Sequence, residues 1–73
     1  MDANTAEITI KAHLKEIRCR LEQAAGIAKA AEACAEAGNI EKGIEIALDV
    51  EQLIYEVNTF LNSASLMNRI SKA

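Results

Sequence analysis

Cys34-Ala35-Glu36-Ala37-Gly38-Asn39-Ile40-Glu41 is the stretch that decides the fold. Glycine enters the left-handed conformation that ends a helix at no steric cost, and asparagine is among the better N-caps for a following helix. Glu41 then stands at the positive end of the new helix dipole. The octapeptide reads as helix, turn, helix, with the turn at 37–39.

Working outward, eight of the fourteen residues 24–37 are alanine and the 73-residue chain has no proline. That composition argues for long helices and against an all-β or collagen-like chain. Asn4 followed by Glu7 resembles a capping box, and Arg69 and Lys72 suit the negative end of a final helix. The sequence predicts an all-α chain, one domain over 1–73, folded as an antiparallel two-helix hairpin with helices over about 5–37 and 40–70.

The apolar spacing supports two helices. Ile10, Leu14, Ile17, Leu21, Ala24, Ala28, Ala31 and Ala35 alternate steps of four and three, and Gly43, Ile46, Val50, Leu53, Val57, Phe60, Ala64 and Met67 do the same. That is the 3.5-residue repeat of a coiled-coil seam. Folding back at Gly38 pairs residues whose numbers total about 77, so Cys34 is expected against Gly43, Ala31 against Ile46 and Ile17 against Phe60. Near the turn, small residues of the first helix then face larger ones of the second.

One hairpin leaves apolar flanks in water. Ile40, Ile44, Ala47, Ile54 and Leu61 run beside the second seam, and Ala6, Ile27 and Cys34 lie along one edge of the first helix. This width matches a helix inside a bundle. The sequence therefore predicts a homodimer, a four-helix bundle of two hairpins, with Ile27, Cys34, Ile40, Ile44, Ala47, Ile54 and Leu61 at the dimer interface. His13, Arg20, Glu51 and Asn58 interrupt the apolar zone and are read as selectors of register and orientation.

Charge is unevenly distributed. Residues 29–49 carry the whole net charge of −3, and Lys11, Lys15, Arg18 and Arg20 cluster against Glu16 alone. An antiparallel arrangement of two hairpins would bring the acidic turn toward that basic region. Cys19 and Cys34 are about 22 Å apart along one helix, beyond disulfide reach, and their spacing is not that of a zinc site. Two free thiols, no secretion leader after Met1 and no membrane-length apolar run suggest a cytoplasmic protein.

The chemistry expected is non-enzymatic. One histidine, no serine before Ser63, and no Glu-x-x-His pair leave no basis for a cofactor, a metal site or a nucleophilic pair. Ala12-His13-Leu14-Lys15 resembles the phosphorylated helix of histidine phosphotransfer domains, in which a histidine is followed by any residue, leucine, lysine and glycine. Here leucine and lysine each come one place early, and Glu16 stands close behind. Ala35-Glu36-Ala37-Gly38-Asn39 with Ala47 looks like the turn of a tetratricopeptide-type helix pair, on helices about twice too long.

The reading that results is a protein-interaction adaptor, co-chaperone or regulator. Its partners are a second copy of itself and another helical protein, with no membrane. Gly26, Ala30, Ala33 and Ala37 form a stripe of small residues, and Gly26, costly within a helix, marks a bend or a close contact. Leu48, Tyr55, Leu66 and Ile70 are candidates for a partner-binding surface. The alternative is RNA binding. In architecture the chain resembles the small dimeric four-helix bundles of plasmid copy-number regulators, and Lys11, Lys15 and Arg18 would contact RNA. A net acidic chain with two aromatic residues, Tyr55 and Phe60, makes nucleic acid the less favoured partner.

Overall fold

A computed structural model describes residues 2–72. The chain is an antiparallel pair of helical arms, 54 Å long and 14 by 11 Å across in its Cα trace. The first arm is α1, Ala3–Glu36. The second comprises α2, Ile40–Ala47, and α3, Val50–Lys72.

Each end is fixed by local chemistry. Asp2 caps α1, its carboxylate accepting from the Asn4 and Thr5 amides at 2.8 and 3.2 Å and from the Thr5 hydroxyl at 2.6 Å. The expected capping box at Asn4 is therefore displaced. A carboxylate two residues earlier is a better acceptor for the first amides, and it starts α1 at Ala3 rather than near residue 5.

The turn is a Schellman motif. Gly38 takes a φ of +97°, the Gly38 amide donates to the Ala35 carbonyl, and the Asn39 amide donates to the Cys34 carbonyl, both at 3.0 Å. Asn39 then caps α2, its side-chain oxygen accepting from the Lys42 amide at 3.1 Å. At the far end, Arg69 and Lys72 occupy the last turn of α3.

The second arm tightens once, at Leu48 and Asp49. There the Asp49 amide donates to the Ile46 carbonyl and the Glu51 amide to the Leu48 carbonyl, each at 3.1 Å. These three-residue bonds wind the chain more closely than the α-helix on either side. The uninterrupted helix expected over 40–70 is thus two helical pieces joined by a narrow turn.

The seam of the second arm is the expected one: Gly43 and Ala64 are buried, and Ile46, Val50, Leu53, Val57, Phe60 and Met67 are partly buried. That of α1 is rotated. Its inward residues are Ala6, Ile10, His13, Ile17, Arg20, Ala24, Ile27, Ala31 and Cys34. Leu14, Leu21 and Ala28, expected in the seam, are exposed. The wholly apolar stripe loses because His13 and Arg20 find partners on α3, described below, whereas Leu14 and Leu21 are left on one flank.

Burial is shallow. Among the described residues, only Ala6, Ala24, Ala31, Ala64 and Gly43 are buried. Among the described residues, no side chain larger than a methyl group is fully removed from water within one chain. Two helices in contact along one stripe cannot enclose a leucine, which needs neighbours on several sides.

Candidate interaction surface

Arg20 is the centre of the polar edge. Its Nη1 donates to Glu16 Oε2 and its Nε to Glu56 Oε1, both at 2.8 Å. Its guanidinium carbon lies 4.6 Å from the centroid of the Phe60 ring. The Glu16 and Glu56 carboxylates, in that order, hold the guanidinium more firmly protonated than usual. Glu56 is in turn held below its ordinary carboxylate range by the Gln52 amide, which donates at 3.0 Å, and by Arg20.

Two helical turns toward the open end, His13 meets Phe60 edge-on, with ring centroids 5.3 Å apart. His13 Nε2 is 3.0 Å from the Ser63 hydroxyl oxygen. Phe60 therefore lies beneath His13 and Arg20, at the level of Ile17 where it was expected. The pairs His13–Ser63 and Arg20–Glu56 each total 76 in sequence number, one less than the expected register. These contacts place one polar edge of the hairpin and tie His13 into intrachain packing.

The opposite edge is apolar. Leu14 and Leu21 on α1 are 51% and 46% exposed, and Ile54 and Leu61 on α3 are 40% and 50% exposed. All four lie on the flank of their helix away from the Arg20–Glu56 contact. Toward the turn, Ala28, Ile40 and Ile44 continue the strip, also exposed, with Ala47 partly buried. At the narrow turn a groove of about 420 Å³ opens between Ile44, Ala47, Leu48, Val50, Glu51 and Ile54. The hairpin is thus a slab with one polar and one aliphatic face.

The residues singled out from the sequence fall in several places. Ile40, Ile44, Ala47, Ile54 and Leu61 share the aliphatic face. Ile27 and Cys34 do not: both are partly buried on the inward stripe of α1 that carries His13 and Arg20. Leu14 and Leu21 belong to the face and not to the seam. Tyr55 and Leu66 lie exposed on the outer side of α3, while Leu48 lines the groove. Gly26 makes no close contact within the chain, since a β-carbon there would meet nothing within 4 Å.

Of the three cations considered for RNA, Lys11 pairs with Glu7 at 2.9 Å and Arg18 with Glu22 at 3.0 Å. Lys15 is exposed and in no ion pair among the described residues. No group of three or more metal-ligating side chains is gathered among the described residues. No described helix is long and apolar enough to cross a membrane.

Comparison with family models, curated proteins and solved structures finds no match to this chain. Any functional reading rests on the two faces just described.

Proposed function

We propose that this chain is a non-enzymatic protein-interaction module that works as a homodimer. Two hairpins bury their aliphatic faces against each other as a four-helix bundle, leaving the outer side of α3, with Tyr55 and Leu66, for a further protein partner. Adaptor, co-chaperone and regulator are the roles such a module serves.

The observation that carries this reading is the aliphatic face. Six large aliphatic side chains, Leu14, Leu21, Ile40, Ile44, Ile54 and Leu61, are each at least 40% exposed on it, while among the described residues none larger than alanine is buried. Completing the burial of those six would contribute about 1 kcal/mol or more each, comparable in sum to the stability of a small domain. A face of this kind is one half of a core, and a second hairpin would supply the other half.

Sedimentation velocity at micromolar concentration tests it. A species of twice the 7.9 kDa chain mass supports the reading, and a stable monomer overturns it. Double replacement of Leu21 and Ile54 by lysine is expected to abolish the dimer. The outer site is tested by pull-down with Tyr55→Glu: a captured protein lost with this variant, its dimer mass unchanged, locates that site on α3.

A further inference from the structure

α1 carries two rows of side chains, either of which closes a seam with the second arm. Both are built on Ile10, Ile17, Ala24 and Ala31. The row in use adds His13, Arg20, Ile27 and Cys34, and leaves Leu14 and Leu21 51% and 46% exposed. The other adds Leu14, Leu21, Ala28 and Ala35 instead. Neighbouring residues stand about 100° apart around a helix, so exchanging the rows about their shared residues takes a rotation of roughly 50°. No movement along the axis is needed, because Ile17 stays level with Phe60 and the second arm keeps the same inward stripe.

α1 is held at the turn, where the Gly38 and Asn39 amides bond to the Ala35 and Cys34 carbonyls. There Cys34 and Ala35 are both partly buried, so that end already stands between the two settings. The settings diverge toward the free end. Spread over about twenty residues, the rotation is about 2–3° per residue, well inside the ordinary scatter of helical backbone.

Polar contacts hold the observed setting. The Arg20 side chain, 23% exposed, lies over Phe60 and bonds to Glu16 and Glu56, while His13 meets Phe60 and Ser63. Rotation moves His13 and Arg20 off the ring to the edge and turns two leucines toward it. A cation over a ring, a side-chain hydrogen bond and the partial burial of a leucine contribute amounts of the same order. The two settings therefore lie close in free energy. Their surfaces differ more. Lys11 and Arg18, each three residues before a leucine, stand one row farther out, and the same rotation carries them to the places Leu14 and Leu21 leave.

We infer that α1 is a two-position rotor, latched by Arg20 and His13 in the setting that displays the aliphatic face. Released, it draws Leu14 and Leu21 into the seam and puts Lys11 and Arg18 on the face in their stead. A second copy meets the first setting with six large aliphatic side chains and the second with four and two cations. Docking and release are therefore mutually exclusive, and residues on the polar edge control association at the opposite edge. The effect on association rests on the dimer reading above; the rotation does not.

Arg20→Glu springs the latch, since it sets a carboxylate beside Glu16 and Glu56, and none of these residues lies on the aliphatic face. Sedimentation should show its dimer at least tenfold weaker than that of the parent chain. Adding Glu56→Arg restores opposite charges and should recover the dimer. The rotation is read directly by nuclear Overhauser contacts of Phe60, the only phenylalanine in the chain. Its ring protons should contact the His13 ring in the parent chain and the Leu14 and Leu21 methyls in Arg20→Glu. Arg20→Gln is a milder release that gives the same exchange if Arg20→Glu folds poorly.

A folded release variant that keeps the Phe60–His13 contact, or one that dimerises as tightly as the parent chain, overturns the rotor and leaves the dimer reading standing. A monomeric parent chain overturns the dimer reading, and the Phe60 contacts then still decide the rotor.

Discussion

Gly43 packs directly against the main chain of Ala31. A β-carbon built on Gly43 would stand 2.8 Å from the Ala31 carbonyl oxygen and 3.3 Å from the Ala35 β-carbon. The first of these is shorter than real β-carbon contacts, and its neighbour is backbone, which does not swing aside.

Gly43→Ala is therefore expected to destabilise the fold. The substitution gains about 1 kcal/mol in helix propensity, but overpacking a close contact costs about 1–3 kcal/mol. Gly26→Ala is the matched control, because its β-carbon would enter open space, and it should stabilise by about 0.5–1 kcal/mol. Urea unfolding followed by circular dichroism, at one fixed chain concentration, separates the two. A stabilising Gly43→Ala would show that the arms are not in contact there.

Gly38→Ala places a side chain at a φ of +97°, where an L-residue is strained by about 1 kcal/mol or more. Asn39→Ala removes the acceptor for the Lys42 amide and should cost about 1 kcal/mol. Both lower the urea midpoint. If Gly38→Ala leaves the midpoint unchanged, the turn is not the Schellman motif described.

Arg20 and Phe60 are coupled by the guanidinium lying over the ring. Replacing Arg20 with methionine should destabilise the parent chain more than it destabilises a Phe60→Leu chain, which has no ring to hold the cation. A double-mutant cycle on thermal midpoints gives the comparison. Purely additive losses would mean that ring and guanidinium act independently.

Acid should weaken the hairpin through Glu56. Its folded value lies below the ordinary 4.5, first because the Gln52 amide donates to it and then because of Arg20. A carboxylate depressed in the folded state contributes stability that is present above its unfolded value and lost as pH falls through its folded one. The midpoint is thus expected to drop as pH falls below about 4.5. Glu56→Gln should flatten part of that drop, and an unchanged profile would remove Glu56 as its cause.

The seam of the second arm, from Gly43 to Met67, was legible in the sequence because that stripe is apolar or glycine throughout, whereas the break at 48–49 and the half-buried Glu56 and Ser63 beside the seam were not. The first arm offered two stripes sharing Ile10, Ile17, Ala24 and Ala31. One adds Leu14, Leu21, Ala28 and Ala35, and the other adds His13, Arg20, Ile27 and Cys34. Hydrophobicity alone favours the former. The decision is made across the interface, where Ser63 and Glu56 stand opposite His13 and Arg20 at the same seven-residue interval. That match is visible in the sequence once the hairpin register is known, and it was the signal missed. It also explains why Ile27 and Cys34 belong inside the hairpin, while Leu14 and Leu21 join Ile54 and Leu61 on the open face.

The narrow turn at Leu48 and Asp49 has a consequence for helical phase. A straight α-helix with inward residues every seven positions slips by about 20° per repeat. On α1 the slip shows as a change of half-buried flank, from Thr9 and Glu16 near the open end to Ala35 near the turn. The second arm has the same right-handed sense whichever way it runs, so its stripe slips as well unless the pair coils or the helix is locally rewound. Tighter winding at 48–49 advances the phase by about 20° per residue. It carries the second arm from Ala47 inward near the turn to Glu56 and Ser63 inward beyond it. The same rotation swings Ile54 and Leu61 outward, so a few degrees of overwinding set which side chains the hairpin keeps and which it offers.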